Sequence, residues 1–458
     1  MTVTTPDEHV PPTDIADLAA AVRGPVLTPT DAAYAEELAG FNVANQPRPD
    51  VVVGATCADD VVAAVRHARA TGLRVGARAT GHGPVLEGDR HLTVTTSRMT
   101  DITIDPVAKT ARVGAGVRWR DVVAATAPHG LTGLVGSSSS VGVVGYLLGG
   151  GLSPLGRQYG FAADHVLRIE VVTADGVLRT VDASAGSDLF WALLGGRDGC
   201  GIVTAIEFGL LDLATVYGGG IFFAGASAAQ VLHAWRRWAP TLPVEAGTSV
   251  AVLRLPPDPQ LPPPLQGQIA VHVRFTFTGD PAIGAQILAP MRAAGPILLE
   301  NVDVMPVAAL DAVHMDPPGP MPSIERGVTV SALPPDAVDA LLAVAGPHVA
   351  SPLAIVEIRL LGGRLRAPQG VPNSVPGRGG SYAVLAIAVP AGPLAAEAAP
   401  HVAAVNDAVA PWTDGALLNF VGRVPAVELP ALWSADDRDR LAEIRRRHDP
   451  AGIFARSV

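Results

Sequence analysis

Cysteine is scarce in this chain: Cys57 and Cys200 are the only two in 458 residues. They lie far apart and form no metal-ligand spacing, so two free thiols are expected, not a disulfide or a zinc site. Lysine is scarcer still, with Lys109 alone among 33 basic residues. Against 43 acids this leaves a net charge of −10. That balance gives nothing for nucleic acid or an anionic membrane to bind. Aromatics make up only 5%. No run approaches the ~18 apolar residues of a membrane helix. Residues 1–29 carry acids and prolines and lack the apolar core of a secretory leader, so the expected location is the cytoplasm.

Three familiar motifs are also missing. There is no Gly-Lys-Ser/Thr phosphate loop. Gly114-Ala-Gly116 and Gly142-x-x-Gly145 are fragments of a dinucleotide fingerprint, without its strand-turn-helix context and acid about 20 residues on. The serines 137–140 do not sit in a Gly-x-Ser-x-Gly elbow, which excludes the usual serine-hydrolase reading.

What is present is a globular composition, 48% hydrophobic and 17% charged, long enough for two or three cores. Residues 1–12 read as disordered. Helices are expected over 14–23 and 30–38, the latter with Thr28 or Thr30 as cap. Val51-Val-Val53 reads as a buried strand. Residues 59–71 have helical spacing and end at Gly72, and 73–77 read as a second strand, giving a β-α-β unit. Short strands come next, near 92–94, 101–104 and 110–113, then a helix over 119–129. A hairpin turns at Asp175-Gly176, a helix covers 187–194 and a strand 202–210. From about Val216 strands alternate with alanine-rich helices, which predicts an antiparallel sheet with helices on one face. The fold class is therefore α+β. A charged helix over 435–448 ends the chain.

Two stretches carry the chemistry. Val75 to Val85 ends a strand and breaks into small residues around His82, flanked by Gly81 and Gly83. Such a loop leaves room for a ligand, and neutral imidazole is a good nucleophile. A surface turn with an idle histidine is the other reading. Gly136 to Gly151 is rich in backbone N–H groups and hydroxyls and has no charge, which suits a diphosphate.

In this order and about fifty residues apart, the pair resembles the FAD-linked oxidases of the vanillyl-alcohol oxidase superfamily, nearest the berberine-bridge-enzyme-like and hydroxynicotine-oxidase-like group. The resemblance runs from about Arg48 to the C-terminus. It implies a two-part FAD-binding domain of PCMH type over 1–215 (core about 46–213). It also implies a substrate-binding domain over 216–410 and a segment, 411–458, returning to the first. It implies FAD bonded covalently to His82, which stands in the family's Arg-x-Gly-Gly-His loop with Thr80 for the first glycine. The flavin contacts it implies are Arg78, Ala79, Thr80, Gly81, Gly83, Gly136, Ser137, Ser138, Ser140, Val141, Gly142, Gly145, Gly149, Gly201, Val203 and Asn419. Doubly attached members carry cysteine where Ser138 stands, so no cysteinyl bond is expected. Val141 stands where small residues go with oxygen use; an ordinary packed valine is the other reading.

Residues 195–204 resemble the family's Gly-rich segment, with Leu194 for its arginine and Arg197-Asp-Gly-Cys200 inserted in the middle. Ile355-Val-Glu357-Ile-Arg359-Leu-Leu-Gly-Gly363 resembles Glu-x-x-x-Leu-Gly-Gly. Alternation puts Glu357 and Arg359 on one face. Glu357 is the candidate base, or else half of an ion pair with Arg359. Asn419-Phe420 resembles Tyr-x-Asn-Phe, with Leu417 for tyrosine, and Asp449-Pro450 to Phe454 the family's Asp-Pro-x-Asn-x-Phe, with Gly452 for asparagine. Asn419 and Tyr382 join Glu357 as catalytic candidates; His314, Met315 and Trp433 are candidate pocket residues. The expected function is oxidation of a small-molecule C–OH or C–N centre with O2 as acceptor, in secondary metabolism, by a monomer or homodimer. A flavin dehydrogenase and a non-redox binder that keeps the fold are the alternatives.

Overall fold

The apolar tetrapeptide Val51–Gly54 forms a fully buried strand. The helix after it, Ala58–Thr71, is bounded by local chemistry: it opens with Asp59 and Asp60 and stops at Gly72, whose φ of 70° only glycine adopts cheaply. The strand Arg74–Arg78 leads into the His82 loop. The computed structural model describes residues 14–83, 90–317, 319–424 and 427–454. The stretch expected to be disordered, 1–12, and the Pro84-Val85 end of the histidine loop lie outside them.

The first sheet has the order Val26–Leu27, Val51–Gly54, His91–Thr95, Arg74–Arg78. Its last three strands are parallel, with His91–Thr95 between the two strands of the β-α-β unit. A second, five-stranded antiparallel sheet runs Ile102–Asp105, Thr110–Gly114, Ile202–Gly209, Val166–Val172, Leu178–Val181, and its hairpin turns at Gly176. The third large sheet is antiparallel and nine-stranded. Its central strands are ordered Thr215–Ala224, Ile269–Phe277, Ala246–Arg254, Leu353–Leu360, Tyr382–Ala388, Ile324–Val330.

Helices Ala228–Trp238, Pro281–Arg292, Pro335–Ala345 and Ala398–Val409 cover one face of that sheet. Val231, Trp235, Leu288, Leu341 and Val405 meet Val250, Val271, Val273, Ile358 and Val384 in one core. Each aliphatic residue fully buried there contributes about 1.5–3 kcal/mol. The other face of the sheet turns toward the first two sheets. The chain end closes on the first sheet: Asp449 accepts from the amides of Ile453 (2.9 Å) and Phe454 (2.8 Å), and the Val75 amide donates to the Ile453 carbonyl at 2.7 Å.

The α+β class and the antiparallel sheet with helices on one face are as expected. Several elements differ. Of the helix expected over 30–38, only Tyr34–Glu37 forms. The Asp31 carboxylate takes both the amide (2.7 Å) and the hydroxyl (2.8 Å) of Thr28, a side-chain turn that competes with helix. The helix Val143–Leu148 lies inside the stretch that reads as a serine-glycine loop. The strand Ile324–Val330 and the helix Ala398–Val409 are additions to the expected elements.

Candidate functional site

Both loops singled out in the sequence line one cavity of about 1290 Å³. It is larger than the ~300–1,000 Å³ of ordinary small-molecule pockets, which leaves room for a large cofactor and a small substrate together. One wall carries Arg78 to Gly83, Gly136, Ser137, Ser138, Val141, Gly142, Gly145, Gly201 and Val203. The facing wall is the bare face of the nine-stranded sheet.

His82 is held from three sides. Its ring stacks on Phe41 at 4.0 Å and 10°. The Thr80 hydroxyl lies 2.9 Å from Nδ1, and Ser140 Oγ lies 3.3 Å from Nε2. Thr80 Oγ1 also accepts from the Gly142 amide (3.3 Å), so it ties the two loops together. Burial, assisted by the Arg118 charge, pushes the imidazole down to about 4. The ring is therefore neutral at physiological pH, the form that can act as a nucleophile. Arg78 is buried, and its guanidinium threads between Gly40 and Gly81: a Cβ on Gly81, whose φ is 68°, would lie 2.6 Å from it.

The donor set fits a flavin dinucleotide. The amides of Thr80 to Gly83 and of Gly136 to Ser138 have no acceptor among the described residues, and both runs line the cavity. Donors left open on a cavity wall await a ligand. Ser140 and Gly149 do not line the cavity. Ser140 acts through His82 and Ser138 Oγ (2.8 Å). Gly149 makes room for Asn419, since a Cβ there would run into the Asn419 amide. Asn419 lines the cavity and donates to the Tyr146 carbonyl at 3.0 Å.

The sheet wall can be read in rows across the strands. One row is Ala270, Leu253, Ile355, Ile387, Glu325. The next is His272, Ala251, Glu357, Leu385, Gly327. The third is Arg274, Ser249, Arg359, Ala383, Thr329. Glu357 and Arg359 do share a face and do pair: Arg359 Nε lies 2.9 Å from Glu357 Oε2. Arg274 Nη1 takes the other oxygen at 2.7 Å, and His314 Nε2 stands 3.5 Å from it. The Glu357 side chain is 3% exposed. Burial alone would raise its pKa, but the Arg359 and Arg274 charges outweigh burial and hold the carboxyl well below its ordinary value. Burial lowers His314 to about 4 and His272 below its ordinary value, so both are neutral. The cluster of one carboxylate and two guanidiniums then carries a net +1. A carboxylate so paired is a weak base, which argues against the base role expected for Glu357.

Tyr382 is buried in the core on the far side of the sheet and does not reach the cavity. Tyr382 follows the odd-even phase of Val384 and Ala386, which face the helices. Trp433 is likewise away from the cavity, donating to the Ser374 carbonyl at 2.7 Å. His314 and Met315 do line it. Sequence reasoning missed two features of the sheet wall. Arg274 and His272 break an otherwise apolar strand at alternate positions, a legible signal. Glu325 lies in Ile324-Glu-Arg-Gly-Val-Thr-Val330, whose alternation is obscured by flanking prolines.

Among the described residues no helix is long and apolar enough to cross a membrane, and no cluster of His, Cys, Asp or Glu could hold a metal.

Residues 49–182 match the FAD binding domain family. The chain is similar to (R)-6-hydroxynicotine oxidase of Paenarthrobacter nicotinovorans, 29% identical over 234 residues, covering 51% of this chain and 48% of the relative. The matched stretches span about a third to a half of the length of such curated relatives. Among solved structures, Physcomitrella patens BBE-like 1 superposes with a TM-score of 0.83 at 18% identity, over 97% of this chain and 99% of that one. The 6-hydroxy-D-nicotine oxidase of Arthrobacter nicotinovorans superposes with 0.81 at 24% identity, over 94% and 96%. Residues 49–182 therefore carry an FAD-binding domain, and nearly the whole chain takes the fold of these two solved structures, the arrangement that the resemblance to the vanillyl-alcohol oxidase superfamily implies.

Proposed function

We propose that the protein is an FAD-dependent oxidase that dehydrogenates a C–OH or C–N centre of a small, moderately apolar molecule, such as a biosynthetic intermediate. The observation that carries the reading is a cavity of about 1290 Å³ between the neutral His82 with its open amides and a sheet face of aliphatic and charged residues. Bound there, FAD supplies a hydride acceptor whose reduced form returns its electrons to O2 as H2O2.

The chain's own residues divide the remaining work. His82, steadied by Thr80, Ser140 and Phe41, is the point of covalent attachment. The open amides of residues 80–83 and 136–138 bind the diphosphate and the ring edge. Asn419 fixes the segment over the cavity. Val141 stands where oxygen reaches the flavin. Leu253, Ile355, Leu385 and Ile387 exclude water and bind the apolar body of the substrate. Glu357 is retained as the fixed anion that holds Arg274 and Arg359, and Arg359 reaches across to Ser137 Oγ at 3.4 Å. Residues 1–215, 216–410 and 411–458 serve as cofactor part, substrate part and closing segment. The test is spectral. Purified protein should be yellow and lose its 450 nm band anaerobically with an oxidisable alcohol or amine, then regain it in air. A colourless protein that takes up no FAD would overturn the reading in favour of a non-redox binder.

A further inference from the structure

Apart from Asp258 and Asp316 at its rim, the cavity holds one carboxyl that belongs to no ion pair among the described residues. Glu325 projects from the strand Ile324–Val330 at the end of the apolar row Ala270, Leu253, Ile355, Ile387. It lines the cavity, and no described residue gives its carboxyl a hydrogen bond or an ion pair. By sheet geometry its Cα lies roughly 12 Å from that of Glu357, two strands across and two residues along. That separation keeps it clear of the guanidiniums that neutralise Glu357.

Among the described residues, the elements packed around Glu325 bring no opposing charge to its carboxyl. Its cross-strand partner is Ile387, and Leu385 lines the cavity beside it. On its own strand Arg326 points the other way and pairs with Glu428 at 3.3 Å. Over it runs the segment Leu418 to Gly422. A Cβ on Gly422 would lie 3.2 Å from Glu325 Cγ, and Asn419 of the same segment is bonded to the Tyr146 carbonyl beside the serine loop. Arg423, the next residue of the chain, is exposed and has a partner of its own. The other charged cavity residues are the Glu357 cluster, the rim residues Asp258, Asp316 and Arg254, and Arg78, Arg197 and Asp198 of the opposite wall. Arg254 is occupied by the carbonyls of Ala345 and Gly346. Glu325 is thus a solitary carboxyl between the aliphatic sheet face and the chain that returns to the cofactor loop.

We propose that Glu325 is the proton acceptor of the reaction, and that the substrate is an uncharged, largely apolar alcohol or an amine bound as its free base. This rests on the oxidase reading above. In the step, the substrate O–H or N–H bond breaks and its proton forms an O–H bond on Glu325. The adjacent C–H bond breaks with its electron pair going to the bound flavin, leaving C=O or C=N. The wall beside Glu325 is aliphatic (Leu253, Ile355, Leu385, Ile387) and offers this carboxyl no partner cation, which suits an uncharged apolar group held next to it. Burial raises Glu325 to about 7, so its base form is half populated near neutrality, the range where a general base is most useful. Glu357, pulled the other way by two arginines, lacks that property.

The experiment uses the flavin-loaded full chain. Wild type, Glu325→Gln and Glu325→Asp are mixed anaerobically with 1-phenylethanol and 1-phenylethylamine as probes across pH 5–9, and flavin bleaching is timed. In parallel, difference infrared spectra without any probe follow the protonated carboxyl band over the same range. The proposal expects wild-type reduction to rise with pH through a limb near 7. Glu325→Gln should stay yellow, slow by about 10²–10⁴ and lose the limb; Glu325→Asp should keep a limb. The infrared band should titrate near 7 in wild type and be absent in Glu325→Gln. Unchanged rate and pH profile in Glu325→Gln would overturn the proposal and leave the oxidase reading standing. Failure of both probes to bleach wild type would remove the reading and this proposal together. If Glu325→Gln does not fold, an infrared titration without a band near 7 in wild type, or a Glu325→Asp enzyme with no limb, overturns the proposal on its own.

Discussion

Replacing Glu357 by glutamine tests whether this carboxylate is an anchor or a base. In the native cluster it accepts from Arg274 at 2.7 Å and faces Arg359 at 2.9 Å, with the two arginine side chains 3% and 11% exposed. Glutamine keeps the shape and removes the charge, leaving two guanidiniums buried side by side. Breaking a buried pair in this way costs about 3–5 kcal/mol. Arg359 retains Ser137 and the Phe420 ring, so the lower end, about 3 kcal/mol, is the expectation. In a domain of about 200 residues that lowers Tm by roughly 6–12 °C. The sign with pH follows from the carboxyl being depressed below its ordinary value of 4.5. Its stabilisation is fully present above the unfolded value and is lost as pH falls through the folded value. The gap between wild type and Glu357→Gln should therefore be full at pH 7 and close only well below pH 4.5. A second replacement, Arg274→Met, should recover part of the loss, because the two sites are coupled. The assay is thermal unfolding followed by tryptophan fluorescence at both pH values. A Glu357→Gln protein that melts within ~2 °C of wild type at pH 7 would refute the reasoning.

Three further outcomes are expected. Thr80→Val removes the hydroxyl at His82 Nδ1 and the acceptor of the Gly142 amide; the fraction of flavin surviving acid precipitation should fall several-fold while total bound flavin changes less. Val141→Leu should slow reoxidation of the reduced enzyme in air and leave anaerobic reduction nearly intact, as stopped-flow traces at 450 nm would record. Gly149→Ala forces a methyl into the Asn419 amide, which should cost about 1–3 kcal/mol in urea unfolding and loosen the flavin; unchanged stability would mean that Asn419 swings away freely.

How much of this is legible in the residues varies with how local the cause is. Helix 58–71 and the hairpin at Asp175-Gly176 are readable, because Gly72 and Gly176 mark their own turns. The meeting of His82 with the serine loop is reached through resemblance; the residues alone leave a surface turn open. The shared face of Glu357 and Arg359 follows from alternation, but the role of that face does not. It depends on Arg274, 83 positions earlier, which arrives by strand pairing that no local pattern reports. Tyr382 falls on the wrong side for catalysis, and strand 382–388 is apolar on both faces, so alternation gives no phase that would reveal it. Glu325 escapes notice because prolines at 317–322 and 334–335 draw the boundary of a loop around a strand. The short helix 143–148 forms where small residues suggest only loop, since Val143 and Leu147 are fully buried and tertiary packing decides it.

The most direct test of the account is the intact mass of the denatured protein. Cells expressing the full chain with ample riboflavin should yield protein that stays yellow after acid precipitation. Its mass should exceed the polypeptide by one FAD, the adduct should map to the peptide containing His82, and His82→Ala should release all its flavin on denaturation. A wild-type protein at the bare polypeptide mass with every flavin in the supernatant, or an adduct on the Gly136–Ser140 peptide, would contradict it.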